Sequence, residues 1–548
     1  MKFEIVQSEY GPIKGVHKES ALGTNYVSFQ SIPYMKAPIG KLRFRDAEPM
    51  DKWSTPFDAS FEATTYYALN FVNGECEGKE DSGVLNIFTK SVKPKKLYPV
   101  MIWIHGGGFI HGSSTTEIYG PDYFLQKDVV FVSINYRLGA IGFLSLNDKT
   151  LGVPGNGGLK DQLFAIKWIK RNIHNFGGDS NNITLFGESA GAASCHYLSI
   201  SEQSKGLFQR IILMSGTSLC KTWAFMPRFL CQKFSDKLAR KLGWKGKIGD
   251  ERDLLEYLEN ASAVDIVVAT KSLLNADESF GLGMISPFVP VVEPYESENC
   301  LISKDPVELV KTAWSNEIDI LFTGNSFEGV IRSDNNDERA IAHLNKYPAF
   351  FLPLLELNLS RDDPKAQELG QKIKSLYFSK HQEMTKDSRE SYLRFSSELL
   401  FWNGIYRAIQ SRVKYARANT FLMRFDAVGE FNMVKDLKNC SEYQGAAHGD
   451  DLFYLFKNIV FDIPEKSSKE SNVIEKMIGM FTSFAINGNP NCEEISPVKF
   501  RNVDDENVMK CVEISENGVS ELLLPDLEKL KVWASLYHEN ENFFNSKL

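Results

Sequence analysis

Apolar residues gather in short runs closed by turn formers: PVMIWIH at 99–105, VVFVSIN at 129–135, ITLFG at 183–187, RIILMS at 210–215, IDILFTG at 318–324 and TFLMRF at 420–425. Runs of that length with no polar face predict strands covered on both sides. Between them the period changes. Within 159–176 the apolar positions Leu163, Ile166, Ile169 and Ile173 recur three or four residues apart, which predicts an amphipathic helix. Strands alternating with helices predict an α/β architecture: a mixed, mostly parallel central sheet with helices on both faces. Residues up to about 60 read as short strands and turns, and 224–270 and 365–410 as long helical insertions. No repeat and no linker rich in Pro, Gly or Ser divides the chain, so residues 1–548 are expected to form one domain.

Composition narrows the function classes. Hydrophobic residues make up 43% and charged residues 24%, which excludes collagen-like and mostly disordered chains. Lys and Arg number 62 against 70 Asp and Glu, a net charge of -8. That balance lacks the basic excess of a nucleic-acid binder. No run of about 18 apolar residues occurs, so no membrane span is expected. The start, MKFEIVQSEY, lacks the basic-then-apolar pattern of a secretion signal. The eight cysteines are scattered without metal-ligand spacing, so free thiols are expected, and no metal or cofactor. Without secretion, the sequons at Asn182, Asn260, Asn358 and Asn439 carry no meaning. The final Ser546-Lys547-Leu548 matches a peroxisomal address, so the cytoplasm is the expected location and the peroxisome the alternative.

The sharpest motif is Gly187-Glu188-Ser189-Ala190-Gly191, after the strand ITLF and before a segment that can be helical. A G-x-S-x-G at such a turn is a nucleophile elbow, with the serine lifted clear of the sheet. Small residues two positions either side are required because the turn is strained and crowded. His105-Gly106-Gly107-Gly108-Phe109 ends the strand PVMIWI. Its glycines let backbone N–H groups face a negative oxygen, so Gly107, Gly108 and Ala190 are the expected oxyanion donors. A phosphate loop is the competing reading, and it fails because no GK[ST] follows.

HGGGF, SINYRLGAIGFLS, GNGGLKDQLFAIKWIKRNIHNFGGD and ITLFGESAGA together resemble the type-B carboxylesterases. GPIKGV, APIGKLRF, GNSFEG and AAHGDDLFYLF extend the resemblance over nearly the whole chain. With Trp223-Ala224-Phe225 and YGPDYF at 119–124, the look is most similar to insect α-esterases. The resemblance implies an α/β-hydrolase fold with helical insertions forming the pocket, and a cofactor-free serine esterase. It implies Glu328 of GNSFEG as the acid and His448 of AAHGDD as the base, in the order Ser189, Glu328, His448. It also implies a hydrogen bond from Tyr119 to Glu188, ion pairs of Arg43 with Glu80 and Arg137 with Asp161, and Trp223 in the acyl pocket. Tyr119, Trp223 and Glu188 are thus the expected pocket residues. Of the other histidines, His105 belongs to the oxyanion loop and His196 is expected to pack.

Departures from the family refine the substrate. Ser82 stands where secreted relatives carry a bridged cysteine. Val72, Ile331 and Arg332 stand where cholinesterases carry aromatics for a quaternary ammonium, so choline esters are not expected. Arg332 at the mouth suggests instead an acidic or phosphorylated group. Phe225, Phe280 and Phe288 are further candidates for the pocket, or simply core. The expected partners are small apolar esters, with organophosphates as covalent inhibitors, and the chain is expected to be a monomer or weak homo-oligomer. A dedicated lipid or juvenile hormone esterase is the near alternative; Glu188 in place of the usual Gln of GQSAG speaks against it. An inactive adhesion relative is the distant alternative, and Ser189, Glu328 and His448 speak against that.

Overall fold

The computed structural model describes residues 2–62, 65–70, 74–333, 337–378 and 383–538. Val72 and Ser546-Lys547-Leu548 lie outside the described residues, and the side chain of Phe280 is not described. All six apolar runs form strands of one 13-stranded sheet among the described residues. Its principal strands are β1 (Phe3–Gln7), β2 (Pro12–Glu19), β3 (Asn25–Pro33), β4 (Val84–Thr89), β5 (Tyr98–Ile104) and β6 (Val130–Ile134). They continue with β7 (Gly178–Glu188), β8 (Arg210–Met214), β9 (Asp319–Asn325), β10 (Thr420–Phe425), β11 (Lys510–Ser515) and β12 (Gly518–Leu523). The spatial order is β1-β2-β3-β4-β6-β5-β7-β8-β9-β10-β11-β12. From β6 to β11 neighbours run parallel, while both margins are antiparallel.

Alternate residues of the central strands enter opposite cores, which is why these strands carry no polar face. Ile102, Leu185, Ile211 and Phe322 join one cluster, with α1 (Gly157–Asn172) and α2 (Ala190–Ile200) packed on it. Trp103, Phe186, Ile212 and Leu321 join the other. The predicted helix over 159–176 is α1, followed directly by a 3-10 turn at Ile173–Phe176. The first insertion folds as α3 (Arg228–Lys241), α4 (Glu251–Asn260) and α5 (Ala263–Thr270). The second contains α6 (Pro364–Lys374), α7 (Arg389–Ser397) and α8 (Asn403–Tyr415). Helix α9 (Lys469–Asn487) covers the second face, and α10 (Leu527–His538) packs with the second insertion.

Both expected ion pairs are present. Arg137 and Asp161 are fully buried, with Nη2–Oδ1 at 2.6 Å and Nε–Oδ2 at 2.7 Å. Arg137 Nη1 also donates to the carbonyls of Arg43 and Arg45. Arg43 Nη2 donates to Glu80 at 3.0 Å, and its Nη1 reaches three carbonyls around the end of α4. The two arginines thus tie the N-terminal loops to α1 and to the first insertion. The eight cysteines are unbridged.

Candidate active site

The carboxyl ends of β5, β7, β8 and β9 lie side by side in register. Ile104 pairs with Gly187, Glu188 with Met214, and Met214 with Thr323. Each strand then delivers one loop to the same edge, where open parallel sheets bind ligands. Ser189, after β7, has φ 56° and ψ −120°. That left-handed backbone is costly for a side-chain-bearing residue, on the order of 1–3 kcal/mol. Ser189 is held by its N–H to Met214 O at 2.8 Å and by Ala193 N–H to its carbonyl at 2.9 Å. A Cβ on Gly191 would stand 1.9 Å from Ile104 O, so the elbow closes only with glycine there.

The loop after β5 doubles back on itself. Gly107 has φ 105°, and its carbonyl accepts from Ile110 N at 3.0 Å and His111 N at 2.9 Å. The amides of Gly107 and Gly108 take no acceptor among the described residues. Ala190, first residue of α2, has no intrahelical acceptor either. A Cβ on Gly106 would lie 3.1 Å from Ser189 Cβ, so this loop abuts the serine. His105 stacks on Tyr136, centroids 4.4 Å apart, and Nδ1 meets Gly106 O at 2.8 Å. Burial pushes its pKa down to about 4, so it fastens the loop as a neutral ring.

Glu328 follows β9 and is fully buried. One oxygen accepts from Ser215 Oγ at 2.5 Å and from Asn325 N at 2.6 Å; the other faces His448 Nδ1 at 2.6 Å. Phe327 N–H donates to Ala446 O, and Asn325 Nδ2 donates to Ala447 O, which clamps the His448 loop to the end of β9. The Phe401 ring lies against His448, centroids 4.3 Å apart. Phe401 stands in a wide π-type turn, Glu398–Trp402, a form that recurs at functional sites.

The second ring nitrogen of His448 is occupied. Nε2 lies 3.0 Å from Glu188 Oε1, an ion-pair contact without the alignment of a good hydrogen bond. No hydrogen bond joins Ser189 Oγ to His448 among the described residues. Burial opposes the imidazolium, but the carboxylates of Glu188 and Glu328 outweigh it and push His448 up to about 10. A third carboxyl, Asp451, is fully buried beside them. Burial first, then the charges of Glu188 and Glu328, push it up to about 8. Asp451 Oδ1 accepts from Asn325 Nδ2 at 3.1 Å, and its other oxygen has no hydrogen-bond partner.

The expected bond from Tyr119 to Glu188 is not formed. The Tyr119 ring packs against Trp103 and Phe456, and Glu188 meets the charged imidazole instead. Trp223 is buried between Phe109 and Phe401, with Nε1 donating to Leu400 O at 2.7 Å. Phe288 is core and Phe225 half-buried. Arg332 donates to Ser279 O at 3.0 Å, a structural tie. A cavity of about 330 Å³ adjoins the oxyanion loop, and Tyr119, Trp223, Glu188 and Arg332 are not among its lining. His196 packs as expected, its Nδ1 accepting from Ser218 N.

Ser215, Asn325, Phe401 and Asp451 were not anticipated. Asn325 lies within GNSFEG and Asp451 within AAHGDD, so the motifs that carry Glu328 and His448 were the signal available for them. Ser215 and Phe401 carry none, because strand register and the second insertion bring them in.

The sheet, the elbow and the edge loops define an α/β-hydrolase. The carboxylesterase family model matches residues 2–533. Esterase B1 of Culex pipiens is 39% identical over 98% of this chain and 99% of its own. A juvenile hormone esterase of Tribolium castaneum is 30% identical over 89% of this chain and 84% of its own. The crystal structure of juvenile hormone esterase from Manduca sexta, with OTFP covalently attached, superposes with a TM-score of 0.85 at 27% identity, covering 98% of this chain and 100% of that one. The chain belongs to the carboxylesterase family and is a carboxylic ester hydrolase. Among the described residues no helix is long and apolar enough to cross a membrane.

Proposed function

We propose that the chain hydrolyses apolar carboxylic esters through an acyl-enzyme on Ser189. Ser189 Oγ attacks the ester carbonyl carbon while its proton passes to His448 Nε2. The carbonyl oxygen takes up the negative charge among the N–H groups of Gly107, Gly108 and Ala190. Collapse breaks the bond to the alcohol, which leaves with the proton from Nε2. Water then attacks the acyl carbon in the same way, releasing the acid and restoring Ser189. Glu328 accepts the Nδ1 proton bond, orients the ring and stabilises its cation. The observation that carries this reading is the 2.6 Å contact of His448 Nδ1 with Glu328 at the sheet edge that bears the strained Ser189.

Organophosphates fit the same chemistry as inhibitors. Ser189 displaces the leaving group from phosphorus, and water removes the tetrahedral adduct slowly. This supports a detoxifying or scavenging role. The test is to mix the enzyme with an aryl dialkyl phosphate. One equivalent of aryl alcohol and a dialkylphosphoryl mass on the Ser189 peptide are expected. An adduct on another residue, or none, contradicts the proposal.

A further inference from the structure

The cavity beside the oxyanion loop carries a charge for which the hydrolysis of a neutral ester has no use. It encloses about 330 Å³, within the range that holds small ligands. Ile110, Leu138, Val267, Leu274 and Ile285 give it apolar walls. Ile285 Cγ2 lies 3.4 Å from where a Cβ on Gly108 would stand, so one wall of the cavity packs against the oxyanion loop. Lys271, just past α5, completes the lining. It is exposed and makes no ion pair or hydrogen bond among the described residues.

No carboxylate appears among the described lining residues. His111 also lines the cavity, but burial first and Lys271 to a lesser degree lower its pKa. His111 is therefore neutral at pH 7, and the cavity presents one positive charge at the end of apolar walls. That complements a single negative charge on an apolar chain. Trp223 and Phe401, the aromatic wall beside His448, are not part of this lining. The aromatic residues beside His448 and this aliphatic, cationic cavity are thus separate surroundings of the site.

We infer that the aliphatic cavity takes the alcohol half of the ester and selects alcohols ending in a carboxylate, bound at Lys271. The inference rests on the serine esterase reading above. A purely structural role for Lys271 is the competing account, because a cation just past a helix end interacts favourably with its dipole.

The test compares butanoate esters of ω-hydroxy acids, over a graded spacer, with the methyl-capped neutral forms of the same alcohols. The readout is the ratio of kcat/KM for the anionic and neutral ester within each enzyme, which cancels differences in folded fraction. Wild type is expected to favour the anionic ester at one spacer length. Lys271→Ala is expected to lower that ratio about 2- to 5-fold and Lys271→Glu to lower it further, the scale of one exposed charge pair. Raising salt is expected to lower the wild-type ratio too. Equal ratios in wild type and both variants, with both esters hydrolysed, overturn the inference and leave the esterase reading standing. A wild type inert on both esters overturns the two together.

Discussion

His448 Nε2 stands 3.0 Å from Glu188 Oε1, so the ring that meets Glu328 through one nitrogen meets a second carboxylate through the other. This arrangement stabilises the imidazolium, the state that forms during attack. It also holds the proton on the ring before attack, when a base must be free. The proposed cycle therefore requires Nε2 to pass from Glu188 to Ser189 Oγ.

Glu188→Gln removes one of the two charges that raise His448. Its pKa must then fall, because the neutral ring gains relative to the cation. The acid limb of the kcat/KM profile against pH is expected to move to lower pH by about 1–3 units. An unmoved limb contradicts the role assigned to Glu188.

The same groups tie stability to pH. His448 is raised from 6.5 to about 10, so its contribution is fully present below pH 6.5 and is lost as pH climbs through about 10. Asp451, raised from 3.8 to about 8, acts in the same direction over a lower window. Thermal unfolding between pH 5 and 10 is expected to show a melting temperature that declines with pH. In Asp451→Asn the part of that decline below about pH 8 should shrink; an unchanged slope speaks against a proton on Asp451.

Ser215 Oγ donates to Glu328 at 2.5 Å. Ser215→Ala leaves a buried carboxylate one donor short. A hydrogen bond to a charged group contributes about 1.5–3 kcal/mol, so a loss of about 10- to 100-fold in kcat is expected. An unchanged kcat in a folded Ser215→Ala contradicts the role assigned to this donor.

Arg137→Ala leaves Asp161 buried without its cation. The expected loss of stability is about 3–5 kcal/mol, measured by denaturant unfolding. The folded fraction should keep near-normal kcat, since the pair braces loops around the site and bonds to none of Ser189, Glu328 and His448. A normal melting temperature in this variant refutes the structural assignment.

What could be read from the chain follows from how local each constraint is. The six apolar runs are strands because burial on both faces imposes a pattern within five to seven residues. Strand β4 escaped that pattern because Asn86 interrupts it; the side chain is buried and serves Ser31, Ser114 and Ser133. The hairpin β11–β12 at the sheet margin alternates rather than running apolar, so it gave no buried-strand signal. The elbow and the HGGG loop were readable because glycines are required within a few residues of Ser189 and Gly107. Glu328 and His448 came only with the family resemblance, since 120 positions separate them and the bond from Phe327 N to Ala446 O joins their loops. The contact of Glu188 with His448 was not readable at all. The resemblance pointed Glu188 towards Tyr119, whose ring instead packs against Trp103 and Phe456.

The most direct test is hydrolysis of nitrophenyl esters of graded acyl length by wild type and Ser189→Ala. Wild type is expected to turn them over with one acyl-length optimum, and Ser189→Ala to lose about a million-fold in kcat, as in other serine hydrolases. Equal turnover by both proteins, or a folded wild type inert on every ester, would contradict the account.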